Sequence, residues 1–256
     1  MSLTAEQIQS NWEEFLGIIE THFEGDRKDK LLAMYNELED RASTAPASSV
    51  DHYHNAFIGG YIDHVLRVIK CAKSVYQLWS TMGSDMSGYT EEELIFVALN
   101  HDLGKLGFPG EGGEIYTPND SDWHIKNMGK IFKINPNNPF ALVNDLSIWL
   151  LQHYGIKISF NEMIAIKCTD GLYDESNKPY FISRSKDSKL KTNMPYVMHQ
   201  ADSMAARIEY EMWAKDGDDV YTPPVKQKPS KPKKAISKQS QAVDVNKMFG
   251  DLFGDK

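Results

Sequence analysis

The chain has 256 residues, of which 41% are hydrophobic and 25% charged, and this fits one soluble domain of about 200 residues with tails. Its net charge of -8 argues against nucleic-acid binding by the whole surface, although it allows a local basic patch. No apolar run reaches the roughly 20 residues of a membrane span, and the N-terminus lacks a secretory leader pattern. Cys71 and Cys168 lie in apolar segments, so we expect reduced thiols and a cytoplasmic protein without membrane contact.

The first 49 residues predict two amphipathic helices ahead of the main domain. Thr4 and Gln7 have the spacing of a capping box, and an apolar stripe follows over residues 8–19. A second helix is predicted over residues 28–40, followed by a loop. We therefore treat residues 1–49 as an N-terminal helical extension.

A glycine pair precedes the next predicted helix. Gly59 and Gly60 allow the backbone to pass close to another element before a helix starts at Tyr61. Apolar residues then recur at helical spacing, and His64 lies near that buried face. The segment thus predicts a histidine that points toward the core.

A histidine and an aspartate stand side by side after the apolar run 94–99. Neighbouring helix residues point about 100° apart, but a bend at a helix end can aim both side chains inward. His101 and Asp102 would then form half of a divalent-metal site. Gly104 is expected to break the helix, and Lys105 places a positive charge beside the pair.

The second half of the chain predicts four more helices. A glycine-rich segment, 107–113, is a candidate mobile flap. Helices are then predicted around His124, from about residue 140 to His153, and from the capping box of Ser159 and Glu162 to about residue 170. Residues 170–194 read as a polar loop, with a short hairpin as an option. The last helix begins near Pro195 and carries Asp202.

Two motifs resemble those of the HD-domain superfamily of metal-dependent phosphohydrolases. Residues 101–105 read His-Asp-x-Gly-Lys, the signature of that superfamily. Residues 54–68 read His-x4-Gly-Gly-x2-Asp-His-x2-Arg-Val, which is similar to the opening of the HD-type 3′-to-5′ exonucleases, with Asp63 where glutamate is common. The resemblance implies an all-α HD-domain helical bundle over residues 50–215, with two extra N-terminal helices and a disordered C-terminal tail.

The resemblance also implies a set of metal ligands in the order of the dinuclear HD proteins. A first ion would take His64 and Asp202 together with the His101-Asp102 pair, and a second ion would take two further histidines with Asp102 bridging. The six ligands are His64, His101, Asp102, His124, His153 and Asp202. Imidazole and carboxylate donors suit one or two ions of Mn, Fe, Co, Ni or Zn, and suit Mg less well.

Each candidate has a structural alternative. His64 could be a hydrogen-bonded core histidine, and Asp202 could be a surface acid. His124 and His153 could contact substrate or serve the fold alone. Lys105 could neutralise phosphate charge or could be a solvated lysine after a helix.

The C-terminal tail predicts a tethered peptide. Residues 216–242 read as a disordered basic linker. Residues 243–256 are apolar again, and their Met-Phe-Gly-Asp-Leu-Phe sequence resembles the C-terminal clamp-binding peptides of some tailed-phage polymerases. That resemblance implies a sliding-clamp-like protein partner, and the alternative is a turn that packs on its own domain or has no role.

The expected activity is metal-dependent hydrolysis of a phosphate ester in a nucleotide, another phosphorylated small molecule or a nucleic-acid end. Lys105 and Asp102 are the candidate catalytic residues. Two alternatives stay open: a di-iron HD-domain oxygenase, since those proteins share the ligand order, and a non-catalytic binding module that docks through its tail.

Overall fold

The described part of the chain is built almost entirely from helices. The computed structural model describes residues 2–216, with helices α1 Ala5–His22, α2 Gly25–Glu37, α3 Glu39–Thr44, α4 Gly60–Thr81, α5 Glu91–Asn100, α6 Asp122–Met128, α7 Val143–His153, α8 Phe160–Lys167, α9 Lys178–Ile182 and α10 Met194–Asp216. Short 3-10 segments lie at Leu103–Leu106, Gly171–Tyr173 and Glu175–Asn177. Strands β1 Tyr116–Pro118 and β2 Phe132–Ile134 form one antiparallel hairpin. The all-α class is confirmed, while the tail predictions from residue 217 onward lie outside the described residues.

Helix starts follow the polar signals of the sequence. In each of three capping boxes, the first side chain accepts a hydrogen bond from a backbone amide and the third helical residue returns one. These boxes are Thr4 with Gln7, Thr90 with Glu93, and Ser159 with Glu162. Because the loss of such a cap costs about 1 kcal/mol, the starts of α1, α5 and α8 are stabilised locally.

The two longest helices, α4 and α10, pack against each other at the centre of the bundle. All residues of α5 from Leu94 to Asn100 are buried, and this helix packs on α4. Helix α8 covers α5 and α10 from the other side. The apolar run before His101 is therefore surrounded by helices, and it holds the end of α5 deep in the core.

Two glycines allow close backbone contacts on either side of the core. A Cβ on Gly60 would lie 2.0 Å from the carbonyl oxygen of Asn55, and one on Gly104 would lie 2.2 Å from that of Val143. The Gly104 amide also donates to Ser147 Oγ at 2.8 Å. Gly104 was expected to break the helix; it instead lets the start of α7 pack on the 3-10 turn after Asp102.

The N-terminal helices share the core of the main domain. Trp12, Phe15 and Tyr35 are buried in the same apolar cluster as the side chains of α4 and α5. The Tyr35 hydroxyl donates to Asn100 Oδ1 at 2.9 Å. Residues 1–49 are thus packed against the end of α5 rather than attached as a separate layer.

Some segments differ from their predicted form. The β1–β2 hairpin was not predicted, because strands of three residues show too little alternation to be read from sequence. Residues 170–194 contain two 3-10 turns and α9 in place of the optional hairpin. The glycine-rich segment is held at Phe108 and Gly110, whose carbonyls accept hydrogen bonds from the Arg41 guanidinium.

The described residues bear on two of the composition-based expectations. Cys71 and Cys168 are both buried and form no disulfide. Within residues 2–216, the structure has no helix with the length and apolar character that crossing a bilayer requires.

Candidate metal centre

Four side chains from three parts of the bundle meet at one point. His64 comes from the first turns of α4, His101 and Asp102 from the turn that follows α5, and Asp202 from α10. The Nε2 atom of His64 lies 3.5 Å from Asp102 Oδ2 and 3.2 Å from Asp202 Oδ1. The Nε2 atom of His101 lies 3.4 Å and 3.7 Å from the same two oxygens. Donor atoms separated by up to 138 residues of sequence are therefore brought together.

Both imidazole rings are oriented by a partner on their other nitrogen. His64 Nδ1 lies 3.0 Å from a carboxylate oxygen of the buried Glu209, and His101 Nδ1 lies 2.9 Å from the carbonyl oxygen of Ala98. These acceptors favour the tautomer with a proton on Nδ1, which leaves the Nε2 lone pair directed at the cluster. Both Nε2 atoms are buried, and neither makes a hydrogen bond with the described residues.

Glu209 belongs to a wider network on the far side of His64. Its other carboxylate oxygen accepts a hydrogen bond from Arg67 Nε at 3.1 Å. Arg67 also contacts Asp63, and Asp63 accepts a hydrogen bond from Asn55 Nδ2 at 2.8 Å. The buried carboxylate is therefore paired with a cation, so that it can hold the ring without an uncompensated charge.

The cluster favours positive charge between the two imidazoles. Burial by itself lowers the pKa of His64, but the nearby carboxylates of Glu209 and Asp202 raise it to about 9. Burial likewise opposes protonation of His101, whereas Asp102 and Asp202 raise its pKa to about 10. Although burial works in the opposite direction, the two histidines hold the pKa of Asp202 far below its ordinary value. A proton and a divalent cation would compete for the same position.

His64, His101 and Asp202 could hold a divalent transition-metal ion, and Asp102 Oδ2, which Lys105 Nζ contacts at 2.6 Å, lies beside them. Donor atoms bound about 2.1 Å from one ion lie roughly 3.0–3.5 Å apart. The four nitrogen–oxygen spacings of 3.2–3.7 Å are close to that range, and buried imidazole nitrogens without a partner are what such an ion requires. His64, His101 and Asp202 also each offer a donor atom within 4.8 Å of the other two.

Two of these four side chains, Asp102 and Asp202, line a cleft of about 270 Å³. Lys105 lines this cleft, and its ammonium lies 2.6 Å from Asp102 Oδ2 and 3.4 Å from His54 Nε2. Burial alone lowers the pKa of Lys105, but the Asp102 carboxylate outweighs it and raises the pKa above the ordinary value. Lys105 is thus a held cation next to the metal ligands rather than a solvated lysine.

The lining of the cleft includes two more acids. Asp170 and Asp174 line the cleft together with Asn144 from the start of α7. The turn before Asp170 is held by α10, since the carbonyl of Thr169 contacts His199 Nδ1 at 2.9 Å. Partial desolvation in the cleft wall, and then the negative charges of Asp102 and Asp202, raise the pKa of Asp170.

Two predicted ligands lie apart from the cluster. His124 is half-buried on α6, and its Nδ1 lies 2.7 Å from Ser121 Oγ. His153 is exposed at the end of α7, where its ring stacks on Trp149 with centroids 5.0 Å apart. His153 also follows the cleft residue Val143 by ten positions, an axial rise of about 15 Å. The structure does not bring His124 or His153 to the four ligands, and the second ion stays a prediction.

Sequence reasoning missed two residues of the site. Glu209 follows Asp202 by seven positions on one helix, so the two share a face, and this spacing could have indicated it. His54 begins the His-x4-Gly-Gly motif but is not among the six predicted ligands. It lines the cleft, and burial, Lys105 and His64 hold its pKa well below the ordinary value.

Comparison with known proteins gives no relative from which the role of the site could be transferred. No family model, no curated protein and no solved structure matches this chain. Membership in the HD-domain superfamily therefore stays a prediction from the two motifs.

Proposed function

We propose that this protein is a metal-dependent phosphohydrolase that acts on a phosphate ester of a nucleotide or a nucleic-acid end. The observation that carries the proposal is the meeting of His64, His101, Asp102 and Asp202 beside a cleft lined by Lys105. Two imidazoles and two carboxylates form a donor set for a transition metal, and a lysine beside them suits an anionic substrate.

The four ligands would hold the ion, and the other residues of the cleft would bind the ester. When bound, a divalent ion supplies Lewis-acid activation of water and of the phosphoryl group. Lys105 supplies a fixed positive charge to the phosphoryl oxygens, since its ammonium is buried and already oriented by Asp102. The narrow cleft limits the substrate near the cluster to about one small phosphate ester.

Asp170 is placed to serve the leaving group. It lines the same cleft as Lys105, and its raised pKa favours retention of a proton relative to an ordinary aspartate. A carboxyl group that holds a proton there can donate it to the departing oxygen. The cleft would thus supply a cation for the phosphoryl group and an acid for the alcohol.

The test is hydrolysis by purified protein with each of Mn, Fe, Co, Ni, Zn and Mg on a panel of nucleotides and oligonucleotides. We expect a divalent ion to bind and phosphate or nucleotide to be released, and His101→Ala to lower both metal affinity and turnover by more than about 100-fold. His22→Ala is the matched control, because His22 contacts Ile18 and Lys73 far from the ligands. Folded protein that binds metal but hydrolyses nothing would contradict the proposal, and O₂ consumption by an iron-loaded sample would favour the oxygenase instead.

A further inference from the structure

A second groove lies beside the first turn of α10. It has a volume of about 450 Å³ and runs between the end of α4, residues 84–88 and the segment 183–193. Its walls carry three cationic side chains, one acidic side chain and two aromatic rings. These are Arg184, Lys189, Lys191, Asp85, Trp79 and Tyr196.

The cations of this groove are available to a ligand. Among the ion pairs of residues 2–216, none includes Arg184, Lys189 or Lys191. The carboxylate of Asp85 is instead engaged by the amide and hydroxyl of Ser87, at 2.9 and 2.7 Å. In a chain with a net charge of -8, three unpaired cations on one groove form a local positive site for an anion.

The aromatic rings give the groove a rigid apolar wall. Trp79 and Tyr196 stack with centroids 6.2 Å apart and an angle of 26° between their planes, and both are half-buried. Their polar atoms are already bonded, Trp79 Nε1 to Gln200 at 2.9 Å and the Tyr196 hydroxyl to Phe181 at 3.2 Å. Aromatic surface next to basic residues is the combination that binds single-stranded nucleic acid, since bases pack on rings and phosphates meet cations.

One continuous segment connects the groove with the cleft. Residues 170 and 174 line the cleft, and residues 183–184 and 189–193 line the groove. On α10, Tyr196 precedes Asp202 by six residues, which is an axial separation of about 9 Å. Six residues also turn the helix to about 120° short of two full turns, so the two side chains point to different faces of α10. A ligand that occupied both the cleft and the groove would therefore have to pass around α10, and it would need more than one nucleotide to do so.

We infer that this groove binds the phosphodiester backbone of a single-stranded nucleic acid whose end lies in the cleft. The inference rests on the proposed function, because it takes the cleft as the place where a phosphate ester is cleaved. It narrows the substrate class from nucleotides in general to the end of a strand, with contacts a few nucleotides away from the reacting phosphate.

The test measures the binding of an oligodeoxythymidylate of about twelve nucleotides by fluorescence anisotropy. EDTA is present so that no cleavage occurs. We expect Lys189→Ala/Lys191→Ala to weaken binding about tenfold and to reduce the slope of log affinity against log salt by about 1.4, since each phosphate contact on a single strand contributes about 0.7. Lys186→Ala is the control: it removes one positive charge from the same loop, but Lys186 does not line the groove. It should leave the affinity and the slope within error.

Two measurements separate this inference from the proposed function. With metal present, the double variant should hydrolyse a mononucleotide as the natural protein does, and its kcat/KM for the oligonucleotide should fall about tenfold. Equal binding and equal salt slopes for the double variant, the control and the natural protein would overturn the inference while mononucleotide hydrolysis persists. A second result would also overturn it. The double variant would lose affinity for inorganic pyrophosphate as much as for the oligonucleotide, and the oligonucleotide affinity of the natural protein would not depend on strand length. Failure of all hydrolysis together with normal oligonucleotide binding would instead count against the proposed function.

Discussion

The histidines at the centre of the bundle and those on α6 and at the end of α7 are the same residue type in opposite environments. His64 and His101 are buried, with Nδ1 held by an acceptor and Nε2 directed at two carboxylates. His124 and His153 are more exposed; the first contacts a serine hydroxyl, and the second stacks on a tryptophan ring. All four had been assigned as ligands on their order in the chain.

This difference shows what a histidine needs in order to be a ligand in a metal site. The ring must be desolvated, its second nitrogen must be fixed, and carboxylates must stand opposite the free lone pair. Sequence order carries none of these three conditions. The central pair meets all of them in this structure, whereas His124 has only one nitrogen held by Ser121 and a half-buried ring, and His153 is exposed.

The largest expected effect tests the two regions directly. His64→Ala removes one of four donors and leaves His101 as the remaining imidazole of the cluster, so we expect metal affinity to fall by more than about 100-fold. His153→Ala should change affinity less than twofold, because its ring contacts only exposed aromatic neighbours. Metal affinity is measured by isothermal titration calorimetry, with circular dichroism to show that both variants fold.

The number of metal ions bound per chain would contradict this comparison if it fell in the His153→Ala or His124→Ala protein. A natural protein with two ions, and a His153→Ala or His124→Ala protein with one, would restore the dinuclear prediction. It would also mean that α6 or the end of α7 moves when metal binds.

A smaller effect is expected from the residue that positions His64. Glu209→Ala removes the acceptor on Nδ1, and we expect metal affinity to fall by about 10- to 100-fold. Glu209→Gln keeps an oxygen in the same place and should recover most of that affinity, although it removes one of the two carboxylates that pair with Arg67. A purely structural role would show a lower melting temperature in both variants with unchanged metal affinity in the folded protein.

The pH dependence of stability without metal tests the charge of the central pair. The pKa values of His64 and His101 in the folded protein, about 9 and about 10, lie above the value near 6.5 of the unfolded chain. Their stabilisation is therefore complete below pH 6.5 and is lost as the pH rises through 9 and 10. In EDTA, urea unfolding should give a lower free energy at pH 9.5 than at pH 7. A His101→Gln protein should show a flatter profile, and an identical profile would argue against the raised pKa.

The smallest effect on stability and activity is expected for the substitution of His124. His124→Ala removes a half-exposed contact with Ser121, whose hydroxyl still caps α6. We expect the free energy of unfolding to change by less than about 1 kcal/mol, and hydrolysis to stay within twofold. A larger loss of activity, with stability intact, would give His124 a role at the substrate.

The sequence predicted the fold well where local rules decide it. Three capping boxes and an apolar run bounded by His101 were enough to place α1, α5 and α8. Short strands and the α9 turn were missed, because they are held by contacts between distant segments rather than by their own periodicity. The role of Gly104 was misread for the same reason, since its neighbour Val143 is 39 residues away.

The candidate site was predicted in part. The residues at 64, 101, 102 and 202 were named from motif spacing, and the structure places them together. Glu209 was not named, because a buried carboxylate that holds a histidine looks in sequence like any helical glutamate. The groove near α10 could not be predicted from the sequence, because its cations come from a loop and its two aromatic rings come from two different helices.

The hydrogen bond from Tyr35 to Asn100 links the N-terminal helices to the position just before the first ligand of the His-Asp pair. These helices are therefore not modular: a graft or deletion that ends at residue 49 would leave the Asn100 carboxamide without its donor and would free the backbone that aims His101. Transfer of the ligand motif to another scaffold should reproduce metal binding only if a clamp of this kind is transferred with it.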